Sequence, residues 1–465
     1  MAAVVRSLIV AALLSSGAAP AFAQQASPGP SAPATPAPPA ASPGLEIFGR
    51  YVGEYAANTS GGFALASAYA SEFQLGANYR WTHPDPLDAG TLHFIFTERW
   101  GSGLTPNAIG NVASVQEIFG AGLTPRLTEL DYEQTLPLVP PISGEAADSA
   151  ANAARPSLDV HAGRVIMQND FAASSTYWGG NLWCSYQSNA ICGTPVAAPN
   201  NSGYGYYPAS EWGAYAKISP APTFYVQTGA FQVDPLYGNR GEGFDLGLYG
   251  TTGVMFPLEL GFLSYDGHGA YDGSVRIGGY FDTSDVPGPQ SYLDRFVPAQ
   301  SPALAQVPST TYRGRSGAWL LVDRLVAGSS APNARGAAVW AAYEYGDADT
   351  ALISNFVDAG IVQHGTFRGR DDDTVAFGYY YLEVNPRLRS FEASLQSQGY
   401  AVPSNAVEQE LEANYGIAVG KTVLFRPDVQ YVIDPAGEAG GYVYPGGYVG
   451  LRNALVFGFN VTYAY

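Results

Sequence analysis

From Ala454 to Tyr465 the chain alternates with a period of two. Leu455, Phe457, Phe459, Val461, Tyr463 and Tyr465 fall on one face, and Ala454, Gly458, Asn460, Thr462 and Ala464 on the other. Successive side chains of a strand point to opposite faces of a sheet. This segment is therefore an amphipathic strand with a large apolar face and a small, largely polar one. Few folds use such a strand at full length, because both faces need a partner.

The same phase recurs upstream and assigns charged residues to the polar face. Between Glu72 and Trp81, Phe73, Leu75, Ala77, Tyr79 and Trp81 oppose Glu72, Gln74, Asn78 and Arg80. Leu92, Phe94 and Phe96 oppose Thr91, His93, Thr97 and Arg99, while Leu45, Ile47, Tyr51 and Tyr55 oppose Glu46, Arg50 and Glu54. Leu130 and Tyr132 oppose Glu129, Asp131 and Glu133, and Glu408, Glu410, Glu412 and Asn414 oppose Leu411, Ala413, Tyr415, Ile417 and Val419. Around Leu158 to Ile166 the apolar phase sends Arg164 the opposite way, which calls for a bulge or a shifted boundary and leaves its direction open.

Only 13% of residues are charged, about half the share in a soluble domain. Lipid would keep charge off the surface, yet a mean hydropathy of -0.03 is too polar for a bundle of membrane helices. A transmembrane antiparallel β-barrel satisfies both observations, since only every second residue of each strand meets lipid. The 32 tyrosines, 22 phenylalanines and 7 tryptophans suit its interfacial girdles, and the 55 glycines its turns and tight lumen positions. Residues 45–465 shared among sixteen strands leave about 26 residues for each strand and its connection, which fits ~10-residue strands, short turns and longer outer loops. Asp285 to Gly317 and Asp347 to Asp373 read as external loops.

The N-terminus carries Arg6, a short apolar run from Ser7 to Leu14, and Ala21-Phe22-Ala23, the pattern of a signal peptide spanning residues 1–23. Residues 24–44 are a Pro/Ala-rich spacer expected to lack a fold, so the barrel domain is 45–465. Export and an aromatic-terminated final strand place the chain in the cell outer membrane. Lipid and lipopolysaccharide would surround it there, and the outer-membrane assembly machinery would receive its last strand.

A net charge of -18 excludes nucleic acid as a partner, which would require clustered Lys and Arg. In an oxidising periplasm Cys184 and Cys192 favour a disulfide over free thiols. The histidines at 83, 93, 161, 268 and 364 are scattered, with neither HExxH nor a GxSxG elbow, so nothing points to an enzyme, a cofactor or a metal. Glu408, Glu410 and Glu412 read as a solvated lumen wall rather than a cation site. Asp371-Asp372-Asp373 reads as a solvated outer turn rather than a Ca²⁺ loop.

With these segments placed, the sequence resembles the carbohydrate-selective porin family (OprB type) over nearly the whole mature chain. Gly163-Arg164 with Asn169-Asp170-Phe171 resembles its GR…DF block. Asn189 to Pro195, followed by Tyr207 to Ala214 (YPASEWGA), looks like its cysteine loop and the segment behind it. GVMFPLELG (253–261), RIGGY (276–280), RDDDTVAFG (370–378), PDVQYVI (427–433) and GLR (450–452) follow in the same order.

The resemblance implies a sixteen-stranded barrel with inward-folded loops that narrow a passive pore for monosaccharides such as glucose. It leaves a homotrimer and a self-sufficient monomer both open. A general porin for small polar solutes is the alternative, and an outer-membrane barrel enzyme a more distant one.

A sugar-preferring constriction needs guanidinium donors, carboxylate acceptors and an aromatic face for the C–H surface of the ring. Arg50, Arg80 and Arg99 with Glu129 and Glu133 would form a mixed wall. The family match adds Arg164 and Asp170, with Trp178 or Trp183 as the stacking candidate. The competing reading is that the arginines hold inward loops by salt bridges. Trp178, Trp183 and Trp212 could equally serve in loop packing or a girdle.

Overall fold

The computed structural model describes residues 44–464 apart from 84–88, 120–122, 141–154, 178–179, 182, 193–195, 267–269, 331–333, 437–440 and 445–446. The leader and spacer expected at 1–44 lie outside the described residues, save that Gly44 already opens the first strand.

Sixteen strands close into one antiparallel barrel. In chain order they are β1 (Gly44–Gly62), β2 (Ser67–Trp81), β3 (Gly90–Gly101), β4 (Pro125–Pro137), β5 (Ser157–Val165), β6 (Glu211–Ala221), β7 (Phe224–Val233) and β8 (Gly253–Tyr265). They continue with β9 (Tyr271–Pro287), β10 (Thr311–Gly328), β11 (Gly336–Gly346), β12 (Ile353–His364), β13 (Thr374–Val384), β14 (Val407–Val419), β15 (Val423–Ile433) and β16 (Arg452–Ala464). Each strand pairs with its sequence neighbours, and β16 closes the ring on β1, with Tyr51 opposite Tyr463 and Tyr55 opposite Phe459. Closure leaves no sheet edge unpaired, the condition for a sheet to stand in hydrocarbon.

An even strand number puts both ends of the barrel chain at one rim. That rim carries the tight connections 222–223, 266–270, 329–335, 365–373 and 420–422, together with 82–89 and 138–156. The opposite rim carries the long connections 102–124, 166–210, 234–252, 288–310, 385–406 and 434–451, with the short 63–66 and 347–352 among them. Outer-membrane barrels keep short turns in the periplasm and long loops outside, so the second rim is extracellular.

The expected phase holds on the strands that supplied it. Leu45, Ile47, Tyr79, Leu92 and Phe94 are exposed on the outer wall, while Glu54, Glu72, Thr97 and Asp131 are buried on the inner one. Two loop expectations need correction. Asp347 to Asp373 is not one external loop: it contains β12, and Asp371-Asp372-Asp373 lies at the periplasmic rim. Alternation is lost in β12 because the lumen beside it is packed, so Phe356 faces inward as a buried residue while Val357 and Ile361 face outward. Asp285 to Gly317 shrinks to 288–310, since β9 runs to Pro287 and β10 starts at Thr311.

The connection 166–210 folds inward and fills part of the barrel. Its Met167, Phe171, Tyr186 and Ile191 form one buried cluster with Phe231, Met255, Trp319, Trp340, Phe356 and Tyr380 of the wall. Tyr186 shows how the wall is cut to receive the loop. Its hydroxyl lies 3.0 Å from the carbonyl oxygens of both Ile361 and Phe377. The directly paired Gly360 and Gly378 make this approach possible. A Cβ on Gly360 would stand 2.5 Å from the Tyr186 hydroxyl, and one on Gly378 2.6 Å from Ile191.

Candidate functional site

Wall carboxylates hold the inward loops, and they do so through loop backbone. Glu408 accepts from the amides of Val112 (2.7 Å), Ala113 (3.1 Å) and Ala436 (2.7 Å) and from the Tyr380 hydroxyl (2.8 Å). Glu412 accepts from Gln187 N at 2.9 Å and Ser188 N at 2.8 Å. Glu344 takes Ala197 N and Ala198 N at the start of the short helix α1 (Ala197–Asn201), and Glu259 takes Ala172 N at 2.8 Å. Glu54 takes Ile118 N and Asp282 takes Gly203 N. Each bond supplies an acceptor to a buried amide that would otherwise be left without one.

Glu408, Glu410 and Glu412 are therefore not a solvated wall. All three are fully buried beneath loops. The signal that could have identified this role is an acid on the inward phase of an otherwise apolar strand. Glu344 follows Ala338, Trp340 and Ala342 on that phase, and all four are buried.

The inner face of β1 to β6 is different, and there the half-exposed ionisable groups gather. The register aligns Arg80, Thr91, Glu133, His161 and Tyr215 in one row across β2 to β6. His93 lies 2.9 Å from Glu133 and 2.9 Å from Asn78, and His161 lies 3.3 Å from Asp131 and 3.7 Å from Glu133. The His161 ring stacks on Tyr215 at 4.5 Å. Arg80, His93, Glu129, Glu133, Asp170 and Lys217 are all half-buried. Asp170, just inside the 166–210 loop, interacts with Tyr215, His161 and Lys217.

Arg50 and Arg99 belong to a second node nearer the extracellular rim. Arg50 pairs with Gln74 on β2, whereas Arg80 pairs with Gly44. The six-residue offset amounts to roughly 20 Å along the strands. The three arginines do not form one cluster.

Arg99 is only 3% exposed, with its Nε 2.6 Å from Glu72, its guanidinium 5.4 Å from the centre of the Tyr207 ring, and the Tyr207 hydroxyl 2.6 Å from Glu72. It pins the end of the 166–210 loop. Arg50 is half-buried and, like Arg99, lies within electrostatic reach of Glu117 on the 102–124 loop.

Arg164 pairs with Leu130 and Trp212, the outward-facing set. It meets protein there rather than lipid. Its guanidinium lies 4.3 Å over Tyr237 and donates to Ser210 and to the Asp245 carbonyl oxygen. Trp178 lies outside the described residues.

The disulfide expected between Cys184 and Cys192 is not formed in the structure. Both are thiols, hydrogen-bonded to each other, on a loop already held by Glu412 and Tyr186. Asp373 is occupied by Arg370 (2.7 Å), Tyr415 and Ala418 N (3.0 Å), which makes it a turn brace.

His93, Asp131, His161 and Lys217 were not among the residues singled out for the site. Inward phase marked His93 and Asp131 from the start. The pairing of β5 with β6 across the 166–210 loop, which stacks His161 on Tyr215, leaves no trace in a one-dimensional pattern.

A closed barrel with an apolar outer wall, inward-folded loops and a partly polar lumen is a porin, a channel and not an enzyme. The family model described as carbohydrate-selective porin, OprB family, matches residues 65–465. The chain belongs to that family, the carbohydrate-selective porins of the outer membrane. It is 28% identical to Porin B of Pseudomonas aeruginosa over 409 residues, covering 85% of this chain and 84% of that one. It is 26% identical to Pseudomonas putida OprB, whose high-pH structure it matches with a TM-score of 0.74 over 91% of this chain and 94% of the other.

Proposed function

We propose that monosaccharides such as glucose cross passively along the inner face of β1 to β6. On this path they meet the node of Arg50 and Glu117 and then the row of Arg80, Glu133 and His93, with Glu129, Asp170 and Lys217 beside it. The observation that carries this reading is the asymmetry of the lumen. Half-exposed donors and acceptors line β1 to β6, while the loop cluster packs against the wall from Tyr215 of β6 round to β13.

Guanidinium and ammonium groups donate to sugar hydroxyls, and carboxylates accept from them. Binding has to stay weak for transit, with dissociation constants near millimolar, about 4 kcal/mol. Arg99 and Arg164 shape the path and do not touch solute.

The leader 1–23 would be removed on export, and the exposed Phe457 and Tyr463 of β16 would present the strand to the assembly machinery. Every residue of this path comes from one chain, so a homotrimer would hold three complete channels. Liposome swelling tests the reading. Faster swelling in glucose than in charged solutes of equal size supports it, whereas equal rates reduce the channel to a general porin for small polar solutes.

A further inference from the structure

The extracellular connection 234–252 does not stand up into water. Arg126, itself 3% exposed, donates to the carbonyl oxygens of Tyr237, Gly238 and Asn239. Leu127 N donates to Gly243 O at 2.9 Å, Arg164 to Asp245 O at 3.1 Å, and the outward-facing Trp212 indole to Leu246 O at 3.3 Å. The Tyr237 hydroxyl closes the segment on itself through Gly247 O at 2.8 Å. It is a strap fastened over the extracellular end of β4 and the outer side of β5 and β6.

Beside the exposed Asn239 and Arg240, the strap presents a set of large apolar side chains. Leu236, Phe244, Leu246, Leu248 and Tyr249 are between 42% and 81% exposed. Loops in water do not gather large apolar side chains on a fixed frame, and a contiguous exposed patch marks an interface.

Its level on the wall identifies the partner. The Phe244 ring lies 6.2 Å from Phe96, which shares the outward phase of the exposed Leu92 and Phe94. Phe96 is five residues below the end of β3, roughly 16 Å along the strand and, at ~40° of tilt, about 12 Å in height. Glu98, two residues above it on the same face, marks the start of the polar interface. The strap is thus continuous with the lipid-facing wall at the boundary of the outer leaflet.

We propose that segment 234–252 is a membrane-seated strap. Leu236, Phe244, Leu246 and Leu248 enter the hydrocarbon of the outer leaflet, and Tyr249 lies at headgroup level, where aromatic rings with a polar edge collect. Its partner is lipid acyl chain rather than a second copy of the chain. The proposal needs only the barrel's place in the outer membrane and is independent of which solute the channel passes.

Site-directed spin labelling of the full chain in bilayers tests it. Leu248→Cys, in a Cys184→Ser/Cys192→Ser background, would carry the label, with Leu258→Cys on the lipid-facing side of β8 as the hydrocarbon standard. Conductance verifies folding, and Leu236→Cys gives a second reading at the other end of the strap.

The expected result is collision with oxygen exceeding collision with a water-soluble nickel chelate by about fivefold, close to the standard. Preferential collision with the chelate would make the strap a water-exposed loop and overturn the proposal. Low collision with both reagents would identify a contact between copies and overturn it equally.

Discussion

The two sides of this lumen are built from the same alternating strands and end up opposite in character. Along β1 to β6 part of the inward set stays uncovered, with Arg80, His93 and Glu133 half-exposed, while Glu54 and Glu72 nearer the extracellular rim are buried against loops. Along β7 to β14 equally polar residues are covered: Glu259, Glu344, Glu408 and Glu412 are all fully buried or nearly so. The difference lies in what stands opposite. A carboxylate facing loop amides becomes a fastener, and one facing water becomes a lining.

The largest expected effect comes from releasing a fastener. Glu412→Ala leaves the buried amides of Gln187 and Ser188 without acceptors, costing about 2–4 kcal/mol of loop docking. Single-channel conductance should rise severalfold and the swelling cut-off extend to larger sugars, with the folded barrel retained. Unchanged conductance would mean that the packed side is held by its apolar cluster alone.

Second in size is Arg99→Ala, which strands Glu72 in a buried site and should lower stability by about 3–5 kcal/mol. Thermal melting in detergent would read this, while sugar block of ion current stays near wild type. A large loss of block would move Arg99 into the solute path.

Arg80→Ala reverses that pattern. Loss of one exposed donor is worth about 1 kcal/mol, so the sugar dissociation constant from planar-bilayer block should rise about fivefold with melting unchanged.

The smallest effect is one of pH, at the extracellular rim. Glu392 of the helix α2 (Pro386–Ser397) is buried and accepts from Asn405 N at 2.9 Å and from the Asn405 side-chain amide at 2.6 Å. Burial pushes its carboxyl up to about 8. A carboxyl raised on folding binds its proton more tightly in the folded loop, so its contribution is complete below the ordinary carboxylate range and is lost as pH climbs towards 8. Amide exchange in 385–406 should quicken between pH 5 and pH 9, and Glu392→Gln should flatten that dependence.

Alternation made the barrel legible because lipid imposes it on every strand. It assigned Arg50, Arg80, Glu133 and Glu412 to the inner face correctly. It could not separate Arg80 from Arg99, since phase reports the face and not the neighbour that covers it. Where the lumen is dry the signal itself fades, and β12 was hidden for that reason. Arg164 broke phase for a different cause: a strap from 234–252 provides it with a protein environment on the outer side.

Most wall acids grip the main chain of the loops they hold. Such a grip is indifferent to the side chains at Val112, Ala113, Gln187, Ala197 and Ala198. The course of the constriction and the chemistry displayed along it can therefore diverge separately. A lineage could exchange residues along these segments, and so retune which solute passes, while the route they trace stays fixed from the wall.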